Sequence, residues 1–117
     1  MEKFMFIFKG GFYDDNGLTP EEAKAKTAKW YAWIQKLSEK NIYVSGEPLL
    51  KGGKAMNKKG GKILVTDGPF VESKELVAGY IVVKAKDYAE AAELAMDYPD
   101  FDLDGSLEIR QIMKIDM

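Results

Sequence analysis

The sequence predicts an α+β fold, an antiparallel sheet with two helices on one of its faces. Three observations lead there. Apolar strand patterns open and close the chain, at residues 3 to 9 and 107 to 115. Two capping signatures, Thr19-Pro20-Glu21-Glu22 and Asp87-Tyr88-Ala89-Glu90, each start a stretch of helical periodicity. Gly and Pro clusters divide the remainder into short strands, which gives the order β-α-β-(hairpin)-β-β-α-β.

The first strand alternates Phe4, Phe6 and Phe8 on one face with Met5 and Ile7 on the other. Both faces are apolar, so both need a cover. Gly10-Gly11 ends it, and a polar loop with Tyr13, Asp14 and Asp15 follows. Thr19 then caps a helix, Pro20 suits its first position, and Glu22 completes the box. Ala23, Thr27, Trp30, Ile34 and Leu37 recur at helical spacing to about Lys40. Trp30 and Trp33 read as core or interface anchors.

Residues 42 to 45 alternate as a second strand. Gly46-Glu47-Pro48 follows, and Pro48 ends regular pairing. Residues 50 to 61 form a Lys/Gly hairpin region with a short strand around Lys54-Ala55-Met56. Residues 62 to 66 form a strand that delivers the turn Asp67-Gly68-Pro69, in which Pro69 fixes its own φ and restricts Gly68. Residues 76 to 86 form a long strand, where Ala78-Gly79 permits a bulge or a close backbone approach. The second helix presents Tyr88, Ala91, Ala92 and Ala95, a face small enough to lie close on a sheet. Asp97-Tyr98-Pro99 stops it. In the last strand Leu107 and Ile109 share one face with Gln111, while Glu108 and Arg110 make a polar strip on the other.

This order is that of a ferredoxin-like plan. One face of its sheet has no helix. Two such sheets packed face to face make a dimeric α/β barrel, with interior clefts beside the polar strip. A homodimer is therefore expected.

The chain has 117 residues, enough for one domain over 1–117 with a real core. It has no Cys and no His, which excludes disulfides, thiolate metal sites and His-based catalysis. The net charge is −2, and basic residues are interspersed with acidic ones, so nucleic acid is not an expected partner. No stretch suits a membrane span and no signal peptide is seen, so a cytoplasmic location is expected. Asp100, Asp102 and Asp104 alternate before Gly105, but Gln111 stands where a calcium loop needs Glu, so no metal is expected. No cofactor is called for.

The densest set of ionisable groups is the Asp67 turn with Glu72, Lys74 and Glu75. With Glu47, Tyr80 and Arg110 it gives the candidate ligand site: Asp67, Glu47, Glu72, Lys74, Tyr80 and Arg110. Arg110 suits a carboxylate or phosphate. Three readings follow. One is a small-molecule-binding, regulatory barrel dimer. A second is a cofactor-independent isomerase or lyase, with a buried Asp67 or Glu47 as base and Lys74 or Tyr80 polarising the substrate. A third is an interaction module in which Asp67 and Glu72 only order the turn.

Asp67-Gly68-Pro69-Phe70, followed by Glu72, Lys74-Glu75 and Gly79-Tyr80, resembles the DGPF group of YCII-related (YciI-like) proteins. Further similarity lies in the Phe-rich first strand, Thr19-Pro20-Glu21-Glu22, Ser45-Gly46-Glu47-Pro48 and the strand at 107 to 110, so nearly the whole chain is covered. The resemblance implies a dimeric α/β barrel of ferredoxin-like units and no established reaction. Relatives are often encoded beside extracytoplasmic-function sigma factors, which implies a functional link to such a factor. YciI-like relatives outside the DGPF group carry a His–Asp pair proposed as catalytic. This chain has Lys29 at the place of that His, and Gln111 where DGPF relatives usually have Pro.

Overall fold

The structure, a computed structural model, describes residues 1–69 and 71–116. Its elements are β1 (Glu2–Lys9), α1 (Pro20–Glu39), β2 (Tyr43–Pro48), β3 (Lys54–Lys59), β4 (Lys62–Asp67), β5 (Val77–Ala85), α2 (Tyr88–Ala95) and β6 (Ser106–Gln111). Single 3₁₀ turns occupy Ser73–Glu75 and Phe101–Leu103. Both helix starts obey their local chemistry. The Thr19 hydroxyl accepts from Glu22 N, and Glu22 Oε1 accepts from Thr19 N. At α2, Asp87 Oδ1 accepts from Glu90 N, while Glu90 reaches one residue further back, to Lys86 N.

Four strands pair antiparallel in the order β2-β5-β1-β6. The sheet is open: β2 and β6 are free edges, and it does not close into a barrel. The barrel expected from the sequence takes two such sheets, and one four-stranded sheet alone stays open. Phe4, Phe6 and Phe8 are opposed across the β1–β5 ladder by Val83, Ile81 and Gly79. The three Phe residues, Ile81 and Val83 join Trp33, Leu37, Ala91, Ala95 and Tyr98 in one apolar cluster, so both helices lie on this face. On the opposite face Met5 stands against Val82 and Ile7 against Tyr80, flanked on β6 by Arg110 and Glu108. No helix covers it, since both helices lie on the Phe face.

The buried positions of α1 are Lys26, Trp33 and Leu37, with Trp30 and Ile34 partly buried. Thr27, expected on the inner face, is exposed. The inner stripe centres on Trp33, while Thr27 and Trp30 border a cavity beside it. The bulge anticipated at Ala78-Gly79 is present: Phe8 opposes Gly79 and Lys9 opposes Val77, leaving Ala78 without a partner. Gly79 sits at φ +152°, and a Cβ there would stand 2.7 Å from the Glu47 carbonyl oxygen. Only Gly lets β2 and β5 approach so closely.

β3 and β4 pair with each other and with no strand of the sheet, from Lys54–Asp67 to Lys59–Lys62. Every residue of β3 and β4 is exposed. The hairpin extends the molecule to 50 × 46 × 19 Å, with a radius of gyration of 16.4 Å. A compact chain of this length has about 13 Å.

Candidate functional site

A cavity of about 630 Å³ lies between α1 and the helix-covered face of the sheet. Its inner wall is Phe8, Ile81, Tyr98 and Asp100, all buried. Trp30, Ile34 and Thr27 of α1 form the roof; Tyr43, Gly46, Ala78 and Gly79 form the side along the β2 edge. Glu47, Leu49, Tyr31 and Asp14 are exposed and make the rim. Aromatic packing fixes the inner end. Tyr98 stacks on Phe8, centroids 5.0 Å apart and planes at 16°, and Trp30 meets Phe8 edge-on at 4.9 Å.

Asp100 is 5% exposed. Lys26 and Trp30, one turn apart on α1, hold its loop. Lys26 Nζ donates to the Pro99 carbonyl at 2.8 Å and pairs with Asp102, while Trp30 Nε1 donates to Asp100 Oδ2 at 2.8 Å. Asp100 Oδ1 is buried without a hydrogen-bond partner among the described residues. Burial raises the Asp100 pKa, opposed by the Trp30 hydrogen bond and the Lys26 charge and reinforced by Asp102. The Tyr98 hydroxyl is pushed up strongly, by burial first and then by Asp100 and Tyr13; Tyr13 is raised by burial and Asp100. The inner end is therefore a place where negative charge is disfavoured. It welcomes a neutral acid, or a carboxylate that meets a cation.

This arrangement has a stability consequence. The folded chain holds the Asp100 proton more tightly than the unfolded chain. The stability from this group is fully present below the unfolded pKa, about 3.9, and is lost as pH rises through the higher folded value. Asp100→Asn keeps an acceptor for Trp30 and removes the charge. It is expected to gain stability relative to the native chain as pH rises from 4 to 7, because the variant has no charge to bury. Urea unfolding at pH 4 and pH 7 tests this: an equal loss at both pH values would contradict it.

The predicted site residues are dispersed. Glu47 and Tyr80 border the cavity at the β2–β5 edge, Glu47 at the rim, but their paired register sets Tyr80 on the face of Ile7, away from the helices. Asp67 ends β4 on the projecting hairpin; its side chain is 78% exposed and pairs with Lys54. Glu72 and Lys74 are exposed and face each other at 3.6 Å. Arg110 lies on the helix-free face, 70% exposed, 3.7 Å from Glu108. The structure does not bring these four to the cavity, because β3–β4 pairs only with itself and β6 lies at the far edge from β2. Nor is a second chain needed to form the cavity: it lies within one chain, on the side opposite the expected cleft. Phe70 of the Asp67 turn lies outside the described residues.

Sequence reasoning missed Asp100, Tyr98 and Tyr13 as cavity residues. A local signal was available in Gly10-Gly11, both at positive φ (67° and 70°), where the chain turns tightly against the 98–105 loop. A Cβ on Gly11 would stand 3.2 Å from Asp100 Cβ and 3.3 Å from the Tyr98 hydroxyl.

Among the described residues, no helix is long and apolar enough to cross a membrane. No curated protein matches the chain. A family match does, over residues 5–116, which takes in both helices, the whole cavity and all but the first residues of β1. With both capped helices and nearly all of the four-stranded antiparallel sheet inside that span, the chain belongs to the YCII-related domain family.

Proposed function

We propose that the protein binds a small, largely apolar molecule in the cavity between α1 and the sheet, and does so as a homodimer of ferredoxin-like units within the DGPF group. One observation carries the binding reading: an aromatic-walled cavity of about 630 Å³ ends on a single buried carboxyl group. Small-molecule sites are apolar clefts of roughly 300–1,000 Å³ with few polar groups at defined positions. The dimer reading is supported by the uncovered face around Met5 and Ile7 and by the Asp67-Gly68-Pro69-Phe70 resemblance. A link to a sigma factor has only that resemblance behind it.

N-phenyl-1-naphthylamine, uncharged and fluorescent in apolar surroundings, is the test ligand. Saturable enhancement is expected with the native chain. Ile34→Trp, which fills the roof, is expected to weaken binding about tenfold or more while the fold persists, because the bulkier ring takes ligand volume. Unsaturable or absent enhancement refutes the cavity as a site. Sedimentation velocity on the same samples gives the binding species; a monomer that binds removes the dimer and keeps the cavity.

A second reading is a cofactor-independent isomerase or lyase. It is favoured by the buried Asp100 carboxyl beside the Tyr13 and Tyr98 phenols, groups that can exchange protons with a ligand. Asp100 replaces Asp67 as the base in that reading, with Glu47 at the entrance. Incubation of bound compounds in deuterated water checks it: no exchange of any ligand proton over hours removes the reading.

A further inference from the structure

The chain has 17 Lys and Arg residues, yet none lines the cavity among the described residues. Its ionisable carboxyls are all acidic neighbours of aromatic rings: Asp14 and Glu47 at the rim, Asp100 at the inner end. Ring faces carry the negative end of the aromatic quadrupole and attract cations. Three carboxyls add charge of the same sign. The ionisable side chains that line the wall are thus acidic or phenolic, and the nearest ammonium groups, Lys26 and Lys51, are held on Asp102 and on Asp14 and Asp15.

Two further observations point to what it holds. Asp100 is buried, accepts one hydrogen bond, from Trp30, and has a second oxygen without a donor. A buried carboxyl with one oxygen unmatched is costly until a donor arrives. The protein also places one of its own ammonium groups against this wall. Lys51 Nζ sits 4.8 Å from the centroid of the Phe12 ring while it bonds Asp14 at 2.9 Å and Asp15 at 2.7 Å. Ring and carboxylate together hold a primary ammonium at the mouth.

We propose that the ligand is an organic cation, a protonated amine on an apolar or aromatic body, with its ammonium directed toward Asp100. This deepens the binding reading above and depends on it. Asp100 Oδ1 is closed off in the structure, so the carboxyl must turn slightly for the ammonium to supply the donor it lacks, in a charge-assisted hydrogen bond. Its body packs against Phe8, Trp30 and Tyr98. An anionic ligand meets repulsion from the same groups, and Arg110, the only Arg in the chain, is on the other face of the sheet.

Three probes with the same phenylalkyl body separate charge from shape: 2-phenylethylamine, 2-phenylethanol and 3-phenylpropanoate. Calorimetry at pH 7 is expected to rank them in that order, with the amine tighter than the alcohol by about tenfold. Asp100→Asn is expected to shrink that ratio to about threefold or less. Glu47→Gln, an exposed change at the rim, is expected to weaken the amine about twofold, and it serves if the Asp100 variant fails to fold. Equal affinity for amine and alcohol, tighter binding of the carboxylate, or a ratio untouched by both variants overturns the proposal. If N-phenyl-1-naphthylamine and the alcohol bind but the amine gains nothing, only the charge assignment falls. If none of them binds, the cavity reading falls with it.

Discussion

Trp33→Ala is expected to destabilise the fold by about 3–5 kcal/mol, the range for truncating a buried aromatic. Trp33 is 3% exposed and sits where both helices meet the sheet. Its ring stacks on Phe6 at 6.3 Å and 12° and lies within 6.0 Å of Phe8 and 5.5 Å of Trp30. Its indole N–H donates to the Leu94 carbonyl at 3.1 Å, which ties α1 to α2. Removing the ring leaves a cavity that rigid strands on one side cannot collapse into, and it leaves the Leu94 carbonyl without this donor. Domains of this size have about 5–15 kcal/mol in total, so the variant stands at the edge of unfolding. Trp33→Phe keeps most of the volume and loses the hydrogen bond; about 1–2 kcal/mol is expected. Urea unfolding followed by far-UV circular dichroism measures both. A loss under about 1 kcal/mol for the Ala variant would mean that the aromatic cluster is not the core.

Gly105→Ala is expected to cost about 2–3 kcal/mol and to abolish ligand binding, although it adds one methyl group. The loop from Asp100 folds back so that Gly105 N donates to the Asp100 carbonyl at 3.1 Å. A Cβ at 105 would overlap that same carbonyl oxygen and the Tyr98 hydroxyl, and would stand 3.0 Å from the carbonyl carbon. Backbone cannot rotate away as a side-chain tip can. The loop must shift, and it carries Asp100 while Tyr98 yields beside it. Stability and binding therefore fall together. Gly17→Ala is the control, since nothing lies within 4 Å of a Cβ there, although its φ of +63° brings a strain of its own of about 1 kcal/mol. If Gly105→Ala binds N-phenyl-1-naphthylamine as the native chain does, the 98–105 loop does not shape the site.

What was legible in the sequence was local. Thr19 with Glu22, and Asp87 with Glu90, announce helix starts because capping acts across three residues. The alternation of Phe4, Phe6 and Phe8 against Met5 and Ile7 sorts β1 into two apolar faces, because side chains along a strand have a period of two, but which face receives the helices was not legible. The bulge at Ala78-Gly79 follows from the missing Cβ of Gly79. The destination of β4 was not legible. Asp67 ends a regular strand whichever sheet that strand joins, and pairing with β3 alone carried it away from the cavity. Asp100 was likewise invisible. Three Asp residues in a short loop read as solvated charge, and the difference between them is tertiary: Lys26 takes Asp102, Trp30 takes Asp100. Trp30 and Trp33 were expected as anchors; three residues apart on α1, one became core and the other a wall.

The side of the sheet on which the cavity lies separates two properties that are often bound together. A subunit resting on Met5 and Ile7 would touch neither Trp30 nor Tyr31. If both proposals hold, substitutions on one side would retune self-association and those on the other uptake, with the Phe-rich strand as the partition wall between them.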